Sequence, residues 1–321
     1  MDYEPPEPEA WGRTQVTITG RGGRGEEVPL TASGGSAWPA VFMLPGATGL
    51  DAPPVALFSD DSPGLDGSIF RSSRASAREI MLPVYLYGID RPTVNELKRR
   101  LFYTLNPKSG PCVLKFTEGD NSTRLLTAYY KGGMEGAEGE SAGFTWAKYG
   151  LTFVAMDPWF YGEREETTRW RFGEGEPLVS PTKPFFPMAI ADGVMGGPGS
   201  EIFINNPGDV DAWPVWKLKG PIKSFSLGYT PEVGPQAVIK ANAPADGSDL
   251  IPTGRTLTID TRPGRKTVMD DRDTNYWSRL ATNPQFWSIE PGYSTGQFTV
   301  VTGSGKASVT LSFLPRYATY V

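Results

Sequence analysis

The stretch RPTVNELKRRLFYTLNP, from Arg91 to Pro107, is the one segment of this chain that reads clearly as a helix. Val94, Leu97, Leu101 and Leu105 recur at helical spacing, and the polar face carries Lys98, Arg99 and Arg100. Pro92 suits an early helical position, and Asn106-Pro107 ends the period, because a residue before proline avoids helical backbone angles. With one helix in 321 residues, the chain has to build its cores from strands.

Composition agrees. Glycine (38) and proline (30) together make 68 of 321 residues, about a fifth, where about an eighth is usual. That excess favours short strands joined by turns, hence a mainly β chain. A length of 321 residues exceeds what one hydrophobic core usually fills, so two domains are expected.

Alternation of apolar and polar side chains marks the strands. TQVTITG (Thr14 to Gly20) is the first; residues Arg21 to Pro54 read as long loops with short strands. REIMLPVYLYG puts Ile80, Leu82, Val84 and Leu86 on one face, and Pro83 argues for an edge position or a bulge. After the helix come PCVLKFT, TRLLTAYYKG and FTWAKYGLTFVAMD, the last two separated by a glycine-rich acidic loop, Gly132 to Gly143. Prolines and glycines crowd between Gly173 and Ser200, the expected linker, so the domains are predicted as 1–172 and 173–321. In the second half, RTLTIDTRPGRKTVMDD reads as a hairpin turning at Pro263-Gly264. QFTVVTGSGKASVTLSF reads as another, and evenly spaced strands of this kind argue for a β-sandwich.

The residue inventory excludes several chemistries. The chain has no histidine, so Ser-His-Asp and Cys-His catalysis and His-based zinc sites are ruled out within one chain. Its single cysteine, Cys112, permits no intrachain disulfide and no Cys-rich metal site. A net charge of −5 argues against binding to nucleic-acid backbones, which rests on lysine and arginine displacing counterions. The start, MDYEPPEPEA, lacks the basic and apolar regions of a signal peptide, and no apolar run is long enough to cross a bilayer. Synthesis in the cytoplasm and no membrane insertion are expected.

The remaining motifs have plain readings. TGSGKAS (Thr302 to Ser308) has the end of a phosphate-binding loop but carries Val300 and Ala307 where that loop needs glycine and Ser/Thr. MDDRD, with Asp270, Asp271 and Asp273, lacks the glycine and distal glutamate of an EF-hand and reads as a solvated turn, as does Asp60-Asp61. Asp157, Glu163, Glu165 and Glu166 could supply the carboxylate pair of a glycosidase, but nothing sets their separation. Trp213, Trp216, Trp277 and Trp287 are candidates for stacking on sugars, with core packing as the competing role. Arg71, Arg74 and Arg78 stand three and four residues apart, as a solvated face or as an ion-pair row between subunits. No catalytic residue, cofactor or metal ligand emerges.

The order of these features resembles the distal tail proteins of long, non-contractile-tailed bacteriophages. REIMLPVYLYG leads to the helix, then to GPCVLKFTEGDNSTRLLTAYYKGG, and closes on LTFVAMDPWFYG; INNPGDVDAWPVWKLKG, LTIDTRPGRKTV and FWSIEPGYSTGQFTV follow. The resemblance runs from about Ser68 to the end of the chain by this pattern reading. It leaves Met1 to Asp66 unaligned. It implies an α+β belt domain with one helix followed by a galectin-like β-sandwich, in a structural virion protein without enzymatic activity. It further implies a ring of six copies at the distal end of the tail. The implied partners are the tube protein, the tape-measure protein and a baseplate hub or tail fibre, with DNA passing through without stable binding. The galectin pocket uses a histidine, which this chain lacks, so lectin activity does not follow. A tail-associated carbohydrate-binding module is the alternative. Asp157, Pro158, Trp159 and Phe160 then read as a structural corner leaving the first domain, with the two aromatic rings anchoring it to a neighbouring copy or to the second domain.

Overall fold

The computed structural model describes residues 14–31, 40–64, 66–135, 145–172, 200–232, 235–303 and 305–321. The expected linker therefore lies outside the described residues, as does most of the 132–143 loop. The chain forms two compact units, Met1–Glu163 together with Tyr317–Val321, and Arg164–Arg316.

In the first unit the strands are β1 (Gln15–Thr19), β2 (Glu27–Pro29), β3 (Ala40–Met43), β4 (Val55–Asp61), β5 (Ser68–Ala75) and β6 (Arg78–Tyr87). The helix α1 (Arg91–Leu105) follows, then β7 (Cys112–Thr117), β8 (Thr123–Gly132), β9 (Trp146–Ala155) and β10 (Phe160–Gly162). The main sheet runs β2-β1-β7-β8-β9-β6-β3, with β10 pairing on β8. Its two ends meet, since the Met43 N–H donates to the Leu30 carbonyl at 2.5 Å. A sheet closed in this way leaves little unpaired edge to recruit other strands. Inside it lie Val16, Ile18, Ile80, Leu82, Leu114, Phe116, Leu126, Leu151 and Phe153, all at most 1% exposed.

The helix forms where the period places it, Arg91–Leu105, and buries Val94, Leu97, Leu101 and Leu105 against the sheet. Its start is set by Asp90, whose carboxylate accepts the Thr93 N–H at 2.9 Å and supplies a partner that the first helical turn lacks internally. Pro83 belongs to an inner strand, β6, which pairs along its whole length with β9. The residue is tolerated because it lies between the last pairing with β3 (Met43↔Val84) and the Thr48↔Met81 bridge.

The second unit contains β11 (Glu166–Phe172), β12 (Ser200–Asn206), β13 (Val215–Lys219), β14 (Ile222–Thr230) and β15 (Ala237–Ala241). It continues with β16 (Thr256–Asp260), β17 (Thr267–Asp270), β18 (Gly292–Thr302) and β19 (Ala307–Phe313). One sheet runs β11-β19-β13-β16-β17, the other β12-β18-β14-β15, with a shared core that includes Trp216, Leu218, Phe225, Leu227, Ile259, Phe298, Val309 and Leu311. The mainly β class expected from composition is the class observed.

Two details differ from the sequence reading. β11 pairs with β19 over seven positions, so the second unit starts at Arg164, ahead of the 172/173 boundary. The strands β18 and β19 are not a hairpin. β18 pairs β12 and β14, whereas β19 pairs β11 and β13 in the other sheet, so TGSGKAS crosses between sheets. Alternating apolar residues define which face of a strand is buried but not which strand lies beside it. The RTLTIDTRPGRKTVMDD hairpin does form, as β16 and β17, with Gly264 at φ 74° in its turn.

A last strand, β20 (Arg316–Tyr317), leads the chain back into the first unit and pairs β10. No helix among the described residues is long and apolar enough to cross a membrane.

Candidate assembly surface

Among the described residues, the strands β4 and β5 pair only with each other. Their register is Val55↔Ala75, Leu57↔Ser73 and Phe58↔Ser72, then Ser59↔Phe70 and Asp60↔Ile69 after a one-residue bulge at Arg71. Residues directly opposite share a face and faces alternate along a strand. One face therefore carries Val55, Leu57 and Phe70 among Ser59, Ser73 and Ala75. The other carries Phe58 and Ile69 with Asp60 and Arg74.

The two faces differ in how their apolar groups are covered. Val55, Leu57 and Phe70 are 58%, 70% and 63% exposed. On the opposite face Phe58 and Ile69 are exposed to a lesser degree, 43% and 44%; the Arg74 guanidinium lies 5.5 Å from the centre of the Phe58 ring, and the bulged Arg71 donates to Asp60 at 2.6 Å. A two-stranded hairpin is marginal in water without further packing. Three large apolar side chains left bare on one face of such a hairpin make it a candidate contact surface.

The sequence read Asp60-Asp61 as a solvated turn and did not single out this hairpin. The signal was present: Pro63-Gly64 and Asp66-Gly67 sit between two apolar runs, VALF and SIF, and such dipeptides punctuate hairpins.

The three arginines take different roles. Arg71 and Arg74 are on the hairpin, while Arg78 is 1% exposed and belongs to the first unit's interior rather than to a surface row. Its guanidinium donates to the carbonyls of Gly49 (3.1 Å), Asp51 (2.5 Å) and Ala318 (2.6 Å). Burial lowers its pKa from the usual arginine value, and the nearby Asp51 charge opposes that shift. Gly49 has φ 80°, and a Cβ there would overlap the Glu79 carbonyl, so only glycine brings this acceptor close to β6.

The corner residues are also divided. Asp157 accepts the Tyr161 hydroxyl at 2.6 Å and the Trp159 N–H at 3.4 Å. Pro158 is buried and Trp159 half-buried. Phe160 is fully buried, edge-on to Phe116 (5.7 Å) and 4.8 Å from the Arg78 guanidinium, so it anchors the first unit's core and not a neighbour.

Two of the four tryptophans are core residues. Trp216 (0% exposed) and Trp287 (5%) meet edge-to-face at 5.3 Å, and Trp216 also packs on Phe298 at 4.9 Å. Neither can stack on a ligand. Trp213 is half-buried, and Trp277 is exposed but stacked on Phe286 at 5.1 Å.

The MDDRD turn has Asp271, Arg272 and Asp273 exposed to solvent, as read from the sequence, but Asp270 is buried and locks it. The buried Asp270 carboxylate accepts the N–H groups of Arg272 and Thr274, both at 2.9 Å, and is paired with the Arg255 guanidinium. Burial pushes its pKa up, but those N–H groups and Arg255 outweigh it and hold the carboxyl at about 2. Among the described residues no group of three or more His, Cys, Asp or Glu side chains is placed to hold a metal ion. Glu163 is engaged with Lys115 at 2.8 Å.

The family match with known proteins spans the hairpin. Residues 53–134 match the family model of the phage tail protein RIFT-related domain. That match begins at the foot of the hairpin and ends just past β8. The crystal structure of the Dit protein (gp 19.1) of phage SPP1 superposes with a TM-score of 0.58 at 14% identity, covering 93% of this chain and 98% of that one. Structures of the phage p2 baseplate in its activated conformation, with calcium or strontium, score 0.47 at 10% and 11% identity. No curated protein sequence matches. The resemblance to distal tail proteins read from the sequence is borne out.

Proposed function

We propose that this chain is a structural component of a phage tail, assembling with copies of itself into a closed ring at the distal end. The observation that carries this reading is the β4–β5 hairpin, whose apolar face of Val55, Leu57 and Phe70 is left exposed by the described residues. A surface of this kind seated on a different surface of the next copy is a head-to-tail contact, and head-to-tail contacts repeated by rotation close into rings. Six copies is the number the family resemblance implies. The fold supports the same placement, since SPP1 Dit is described as a paradigm of the hub adsorption apparatus in phages infecting Gram-positive bacteria.

In this reading the ring joins the tail tube and tape-measure protein on one side to a baseplate hub or fibre on the other. The role is mechanical and no catalytic residue is assigned. The carbohydrate-binding alternative has lost Trp216 and Trp287 to the core.

The test is the native mass of the purified full chain, with the particles imaged. A six-fold multiple with a central hole is expected. A strict monomer across the micromolar range overturns self-assembly through the hairpin.

A further inference from the structure

The second unit sits inside the sequence of the first. The chain leaves the first unit after Glu163 and returns at Tyr317. The returning segment is held at three places. Arg124 lies with its guanidinium 3.5 Å from the centre of the Tyr317 ring; the Ala318 carbonyl accepts from Arg78 at 2.6 Å; and the Tyr320 ring packs 5.4 Å from Phe116. All three holding residues belong to the first unit's own fabric. Arg124 pairs Gly162 across β8 and β10, Phe116 is core on β7, and Arg78 opens β6.

Arg78 gives this segment more weight than its length suggests. The side chain is 1% exposed, its Nε has no hydrogen-bond partner, and one of its three acceptors comes from residue 318. Without Ala318 the buried guanidinium keeps the Gly49 and Asp51 carbonyls and the Phe160 ring 4.8 Å away, but loses one of its three hydrogen-bond acceptors. A buried donor left without its acceptor costs the desolvation of that group. Residues 14–163 thus contain every strand of the first unit except the last, yet leave Arg78 under-satisfied.

We propose that Tyr317–Val321 is a strap that completes the first unit only after the second has been synthesised. Domains generally fold as they emerge, N-terminal first. Here the first unit lacks the third acceptor for Arg78, and has only Phe160 and not Tyr320 against Phe116, until the intervening 153 residues, Arg164–Arg316, have been made. A chain that stops inside the second unit presents a loosened first unit, and assembly is restricted to chains that carry both.

The test compares the full chain with a variant lacking Tyr317–Val321, by hydrogen exchange read on separate peptides. Exchange is expected to rise at least ten-fold in β6, β7 and β8 of the truncated chain and to stay unchanged in β14 and β18. Equal protection in both chains overturns the proposal, and so does a uniform loss across the two units. If truncation prevents folding, the single variant Tyr320→Ala carries the same comparison with a smaller rise. Specificity comes from a cycle with Arg78→Met, which removes the charge that needs Ala318: truncation should then cost less protection than in the parent chain, and an undiminished cost refutes the role given to Arg78. These readouts are taken on the chain's own folding, so they stand or fall separately from ring formation. The assembly clause rests on the ring reading and is tested by whether truncated chains enter rings formed by full chains.

Discussion

Replacing Leu57 and Phe70 by serine should dissolve the ring while leaving each chain folded. Complete burial of a leucine or phenylalanine side chain stabilises by roughly 2 to 2.5 kcal/mol. Leu57 and Phe70 are 70% and 63% exposed in the single chain, so those fractions remain to be gained on assembly. The product is about 1.5 kcal/mol each, or about 3 kcal/mol for each contact between copies. At 1.4 kcal/mol per factor of ten, each contact weakens about 100- to 150-fold. Because the two side chains pack on little within the chain, the melting temperature should move by no more than about 2 °C, the range of ordinary surface substitutions. Sedimentation across a concentration series measures the assembly and calorimetry the folding. Tyr293→Ser, at a residue 85% exposed in the second unit, is the control and should change neither. Rings that persist at undiminished strength in the double variant would refute the hairpin argument, and a large fall in melting temperature would show that the two side chains hold the fold instead.

The remaining expectations concern the two cores. Trp216→Ala removes a fully buried ring packed on Trp287 and Phe298 and should destabilise by about 3–5 kcal/mol, a fall of about 10 °C in the second unit's melting transition by calorimetry. A variant melting like the parent would remove Trp216 from the core. Asp270 has its folded pKa depressed to about 2, below the roughly 3.9 of an unfolded aspartate, so its contribution is complete above pH 4 and is lost as pH falls toward 2. Acid titration of the second unit's stability should show that limb, and Asp270→Asn should flatten it. Cys112 is buried with its thiol pushed up to about 11 by desolvation, so iodoacetamide at pH 8 should leave it unmodified in the native chain and label it on unfolding, read by mass spectrometry.

Much of the site was within reach of the sequence and was passed over for an identifiable reason. The hairpin lay where turn dipeptides separate two short apolar runs, but its strands do not alternate cleanly, because Leu57-Phe58 and Ile69-Phe70 place apolar residues on both faces. Clean alternation describes a strand with one wet face and one dry face, and a hairpin with apolar residues on both faces is not that. The arginine row showed the opposite problem. Three arginines at regular spacing looked alike, and only the fold separates Arg78 from Arg71 and Arg74 by burying it under Gly49, Asp51 and Ala318. Likewise Phe160 and Trp216 are large aromatics whose sequence context does not say which side faces water.

What the sequence determined by itself is local. The helix from Arg91 to Leu105, the strands β7 and β8, the β16–β17 hairpin and the mainly β class follow from periodicity, capping and turn residues, all of which act over a few neighbouring positions. Tertiary structure decided the pairings: β18 and β19 in different sheets, β11 with β19, and Tyr317–Val321 returned to a unit begun about 300 residues earlier. Those choices depend on which distant surfaces fit and which buried groups find partners. A strand's own side chains record that it has a dry face, and not what lies against it.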